Sequence, residues 1–116
     1  MYQVVKRDGK IVEFDINKIA AAIKKAFDAT GTDYNDIVID FLALKVTSDF
    51  QSKIKEDRVS VEDIQDSVES VLIKAGYDEV AKAYILYRKQ RERMRNMSNT
   101  LLDYKKIVDN YLKVND

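Results

Sequence analysis

Between residues 4 and 19 the chain changes its hydrophobic period from two to about three and a half, and this change restricts the fold more than any other feature. Residues 3–7 and 10–14 are short β-rich runs flanking Asp8-Gly9, a dipeptide that tolerates the two positive φ angles of a type I′ turn. A hairpin is therefore expected here. Behind Asp15, Ile16, Ile19, Ala20, Ile23 and Phe27 recur at helical spacing, with Asp15 as the N-cap. With a two-residue turn, Arg7 faces Lys10 and Val5 faces Val12. Val5, Val12 and Phe14 would then share the core face, and Val4, Lys6, Ile11 and Glu13 the other. Lys18, in the first helical turn, opposes the helix dipole unless an anion sits nearby, and it could converge with Lys6 on that anion.

The absence of Pro and the presence of only three Gly leave few breaks, so the rest should be mostly helical. The first helix should run over residues 16–29 and close at Gly31. A second should start near Asp33 or Tyr34, with Ile37, Phe41, Leu44 and Val38, Leu42, Val46 forming an apolar face wide enough to bury most of it. Residues 53–58 form a charged connector. Val59 would add a third strand before Ser60 caps a third helix through a Ser-x-x-Asp box. That helix turns Ile64, Val68, Val71, Leu72 and Ala75 inward and stops at Gly76. A fourth starts near Asp78 and becomes basic at Arg88, Lys89, Arg91, Arg93 and Arg95. A fifth would follow, capped by Asn99 or Thr100, with Leu101, Tyr104, Ile107, Val108, Tyr111 and Leu112 on one stripe. Tyr84, Tyr87, Tyr104 and Tyr111 read as core and rim packing.

The 116 residues allow one domain, burying about two-thirds of the surface exposed by the unfolded chain. The 20 basic and 20 acidic residues balance, which argues against broad capture of nucleic acid or membrane, so any anion site must be local. With no Cys and no His, thiol nucleophiles, disulfides and the commonest general base are excluded. No apolar run is long enough to cross a bilayer, and no leader sequence is evident, so a cytoplasmic location is expected. No Gly-x-x-x-x-Gly-Lys-Ser/Thr loop is present, which excludes a P-loop hydrolase.

Three motifs in order, Val5-Lys6-Arg7-Asp8-Gly9 with Phe14-Asp15 and Lys18-Ile19, then Ser60-Val-Glu-Asp-Ile-Gln-Asp, then Ala83-Tyr-Ile-Leu-Tyr-Arg-Lys, resemble an ATP-cone domain. The tail, ending Tyr-Leu-x-x-x-Asp, is similar to the stretch that leads from the cone into the catalytic body of anaerobic, glycyl-radical ribonucleoside-triphosphate reductase. The resemblance implies an α/β (α+β) fold: a small hairpin or three-stranded sheet over a four-helix bundle, with an appended C-terminal helix. Residues 1–95 would form the nucleotide-binding cone, and residues 96–116 a linker and helix toward a catalytic domain.

It further implies that Lys6, Arg7, Lys18 and Lys89 hold a triphosphate, while Val4, Val5, Ile16, Ile19 and Ile85 enclose the base. Asp15 is the candidate for choosing adenine over guanine, because a carboxylate accepts from an exocyclic amine, with Glu13 the second candidate. Some family members carry Glu in place of Val12 and His in place of Gln65. No residue is expected to be catalytic or to ligate a metal. ATP or dATP would act as allosteric effector, with Mg2+ accompanying the triphosphate, and the partners would be the reductase's catalytic domain and, in one liganded state, a second copy. Two alternatives stand beside this reading: the cone of a nucleotide-sensing transcriptional repressor, and a helical interaction module with no ligand.

Overall fold

The computed structural model describes residues 2–115, with side chains described through residue 109. In chain order the elements are β1 (Gln3–Val5), β2 (Ile11–Glu13), α1 (Ile16–Thr30), α2 (Asp36–Asp49), a 3₁₀ turn at Gln51–Lys53, β3 (Arg58–Ser60), α3 (Val61–Lys74) and α4 (Asp78–Asn115). The fold is α+β, a three-stranded mixed sheet with four helices. The chain divides into two compact units, the first ending at Ile85 and the second beginning at Leu86.

β1 lies in the middle of the sheet, antiparallel to β2 and parallel to β3. Val4 is opposite Val12 on one side and Val59 on the other, and Val5 is opposite Ile11. This register differs by one residue from the expectation, and the turn is the cause. The Lys6 N–H donates to the Lys10 carbonyl at 2.8 Å and the Gly9 N–H to the Lys6 carbonyl at 2.9 Å, leaving a three-residue loop of Arg7, Asp8 and Gly9. Of these only Gly9 has positive φ, at 87°, so one left-handed residue follows an ordinary tight turn. The Asp8 carboxylate supports the loop by accepting the Lys10 N–H at 3.0 Å. Because side chains alternate across a strand, the slip moves Val4 to the core face and Val5 to the other. Val4 is accordingly buried, Val5 half-buried and Ile11 exposed.

A turn with two consecutive left-handed residues does occur, at Glu56 and Asp57 with φ of 52° and 61°. Lys55 and Arg58 exchange backbone hydrogen bonds around it, and the Asp57 carbonyl accepts the Gln3 N–H at 2.8 Å, which brings β3 alongside β1.

Several helix ends have a local cause. The Asn35 side chain caps α2 by accepting the Val38 N–H, and the Ser60 hydroxyl caps α3 by accepting from Asp63. Gly31, with φ of 66°, ends α1 while its N–H and that of Thr32 satisfy the carbonyls of Asp28 and Phe27.

The core is Val4, Ile19, Ile23, Phe27, Ile39, Leu42, Val46, Phe50, Val59, Ile64, Val68, Val71, Leu72, Val80 and Tyr84, with three alanines among them. Burying a large side chain such as Phe27 contributes about 1.5–3 kcal/mol. Tyr2, Phe14 and Phe50 pack with ring centroids 4.7 to 5.8 Å apart and fasten one end of the sheet to the end of α2.

Three further expectations change. The face of α2 carrying Ile37, Phe41 and Leu44 is exposed, at 79%, 56% and 61%, because the core takes only the Ile39, Leu42, Val46 side of that helix. The expected fifth helix is the continuation of α4: the Thr100 hydroxyl bonds the Asn96 carbonyl one turn back instead of capping a new helix. Tyr84 is buried, but Tyr87 and Tyr104 are exposed; the side chains of Tyr111 and Leu112 lie outside the described residues. Among the described residues, no helix is long and apolar enough to cross a membrane.

Candidate functional site

The hairpin and the start of α1 present cations that the protein leaves largely uncompensated. Lys6 sits at the last rung of the hairpin, its backbone committed to Lys10 and Gly9 and its side chain exposed. Lys18 occupies the first turn of α1, where there is no acidic residue. Neither lysine has an ion-pair partner among the described residues. A helix start already carries partial positive charge, so an anion there is favoured twice over.

Arg7, between the two in sequence, behaves differently. Its Nη1 donates to Glu62 Oε1 at 2.8 Å and its Nη2 to Gln65 Oε1 at 2.6 Å, so the loop is fastened to the first turns of α3. Asp15 is exposed and its Oδ1 accepts the Asn17 N–H at 3.0 Å, as an N-cap should; the Lys18 N–H donates to the Asp15 carbonyl.

Among the apolar candidates, Val4 and Ile19 belong to the core and have little surface left for a ligand. Val5, Ile16 and Ile85 are half-buried and keep some. Glu13, the second candidate for base choice, is exposed at the end of β2 and accepts from the Gln3 side chain at 3.3 Å. Lys89 is exposed on α4, in the second unit.

A groove of about 200 Å3 lies elsewhere, between α2 and α3, lined by Lys45, Ser48, Asp49, Val71, Lys74 and Ala75. None of the candidate residues borders it. The sequence alone marks Gln65 only as a position where some family members carry His, does not mark Glu62, and foretells the contact of neither with Arg7. The Ser60 capping box sets both on the first turns of α3 but says nothing of β3 pairing with β1.

An ATP cone domain is matched by residues 2–93. The chain belongs to the ATP-cone family. Relatives of this cone include a ribonucleoside-diphosphate reductase subunit alpha of Chlamydia pneumoniae, 41% identical over 79% of the chain and 9% of that protein. A vitamin B12-dependent ribonucleoside-diphosphate reductase of Thermoplasma acidophilum is 43% identical over 80% of the chain and 12% of its own length. An anaerobic ribonucleoside-triphosphate reductase of Haemophilus influenzae is 34% identical over 86% of the chain and 14% of its own. The chain thus spans about a tenth of the length of the curated relatives it matches. Within the cone, the matched span contains every candidate residue from Val4 to Lys89.

Proposed function

We propose that this cone binds ATP or dATP without consuming it and thereby adjusts the overall activity of a ribonucleotide reductase. The observation that carries the reading is the pair of exposed lysines, Lys6 and Lys18, unpaired among the described residues and set on the hairpin and in the first turn of α1, where the Asp15 cap is the one carboxylate nearby in sequence. Together with Arg7 they would hold the triphosphate, with Mg2+ as its counter-ion. Val5 and Ile16 would offer the base an apolar surface, bounded by Val4 and Ile19, and Asp15 would accept from the adenine amine. Lys89 and Ile85 are the further contacts the family resemblance names, and substitution is their test.

An effector shifts an equilibrium only by as much as it binds the two states differently, so ATP and dATP would have to favour different packings of the cone on its enzyme. The anaerobic class rests on the tail's likeness to the stretch that leads from the cone into that enzyme's body; alignments with anaerobic ribonucleoside-triphosphate reductases cover 84–86% of the chain at 34–35% identity, and those with diphosphate reductases 79–80% at 36–43%. Calorimetric titration with ATP, dATP and GTP tests the reading. Absence of heat and of thermal stabilisation with adenine nucleotides would leave the helical interaction module, which the exposed Ile37, Phe41 and Leu44 stripe favours.

A further inference from the structure

Arg7 is a loop residue with two of its five guanidinium N–H donors, one on each terminal nitrogen, already engaged. Both terminal nitrogens are engaged from α3, at 2.8 Å by Glu62 and at 2.6 Å by Gln65, two side chains three residues apart on one helical face. The Arg7 side chain is 27% exposed although the loop around it stands in solvent. A planar guanidinium fork matches one bidentate partner at a time, and carboxylate and phosphate compete for the same geometry.

Resting on the nucleotide-binding reading above, we propose that Glu62, with Gln65, is a competing ligand for Arg7 that sets the affinity of the site. Without nucleotide, the Glu62 carboxylate occupies the guanidinium and fixes the hairpin loop to α3. When a triphosphate binds to Lys6 and Lys18, Arg7 exchanges the carboxylate for phosphate oxygens, and Glu62 is released to solvent. No bond is made or broken beyond hydrogen bonds, and no proton moves. Glu62 is thus a positioning residue: it acts on the ligand through Arg7.

Lys6 and Lys18 have no such competitor among the described residues, which makes Arg7 the contact whose exchange the protein resists. The arrangement also gives a direction to the linkage. Anything that draws Glu62 away from Arg7 tightens nucleotide binding, and anything that strengthens the pair weakens it.

The experiment is calorimetric titration of ATP into the wild-type chain, Glu62→Gln, Arg7→Ala and the double variant, at low and at physiological ionic strength. Glu62→Gln keeps the shape and removes the charge; Glu62 is 59% exposed, so the variant should fold, and its thermal midpoint without ligand verifies that. A partly exposed pair of this kind shifts an equilibrium by a factor of a few, so Glu62→Gln should bind ATP about two- to tenfold more tightly, with a smaller gain at higher salt. In the Arg7→Ala background the gain should disappear.

An unchanged or weakened affinity in Glu62→Gln overturns the proposal. So does a gain that persists undiminished without Arg7, because Glu62 would then act on the ligand directly. If the wild-type chain binds no adenine nucleotide, the nucleotide-binding reading fails first. If the wild type binds and only the Glu62→Gln gain is missing, the competing ligand alone is wrong.

Discussion

Asp15 Oδ1 accepts the backbone N–H of Asn17 at 3.0 Å, so the carboxylate assigned to base choice also caps α1. The two roles separate by substitution. Asn caps a helix about as well as Asp, so Asp15→Asn should leave thermal stability nearly unchanged, whereas Asp15→Ala should cost about 0.5–2 kcal/mol. In the proposed site Asp15→Asn should erode the preference for ATP over GTP, because an amide offers a donor to the guanine carbonyl; the preference itself is expected at about 1–3 kcal/mol. Titration of both nucleotides into both variants reads this. An Asp15→Asn protein that discriminates as well as the wild type removes Asp15 from base choice.

Lys6→Ala and Lys18→Ala should each weaken ATP by about 1.5–3 kcal/mol, the range of a charge-assisted hydrogen bond. Both lysines are exposed, so the unliganded thermal midpoint should hardly move. Lys89→Ala should weaken ATP as well, and Arg93→Ala should not. Equal losses for Arg93→Ala and Lys6→Ala would place the phosphates on the wrong cations.

Nucleotide binding should slow backbone hydrogen exchange over residues 4–14 more than over residues 101–112. With ligand a hundredfold above its dissociation constant, linkage adds about 2.7 kcal/mol to the folded state. In the free protein Lys6, Arg7 and Lys10 face Asp8 and, at Arg7, Glu62, and a triphosphate supplies further negative charge beside Lys6. Protection confined to residues 101–112 would disconnect the hairpin from the ligand.

The Tyr2 hydroxyl is buried and has no hydrogen-bond partner among the described residues, and burial raises its ionisation above the ordinary value of 10.0. The unfolded chain therefore loses that proton at lower pH than the folded one. The contribution is fully present below pH 10 and is lost as pH rises through the folded-state value. Tyr2→Phe should remove an unsatisfied polar group while keeping the ring contacts with Phe14 and Phe50, so stability at neutral pH should be equal or higher. Denaturant melts at pH 8 and at pH 10.5 should show a smaller loss in the variant than in the wild type; equal losses would assign the alkaline instability to other groups.

What the sequence made legible was local chemistry. Asp15, Ser60 and Gly31 punctuate helices through their own hydrogen bonds or φ angles, and each was readable in place. Pairings between distant segments were not. Asp8-Gly9 admits either a two-residue or a three-residue loop, and the choice shifts the register by one and exchanges the faces of Val4 and Val5. Glu56-Asp57 carries no glycine, so its left-handed pair is imposed by tertiary pairing with Gln3 and had no local signal. The exposed face of α2 shows the same limit, since Ile37 and Phe41 are as apolar as Ile39 and Leu42, and only the packing says which side is covered. At the proposed site, the sequence offered the cations Lys6 and Lys18, which the structure leaves exposed, while the grip of Glu62 on Arg7 needed residues 55 positions apart to meet.

Val4 pairs with Val12, eight residues on, but also with Val59, so of the sheet's three strands the central one is made before its partners and is the last to have both edges paired. At 5–20 residues per second, the 55 residues between Val4 and Val59 take about 3–11 s to appear. Until then β1 and β2 are a two-stranded hairpin with three residues in each strand, which is marginal in water. The Lys6 and Arg7 end of the hairpin acquires a fixed position only when β3 and α3 arrive, so a nascent chain that ends before α3 is complete should be unable to sense nucleotide at all.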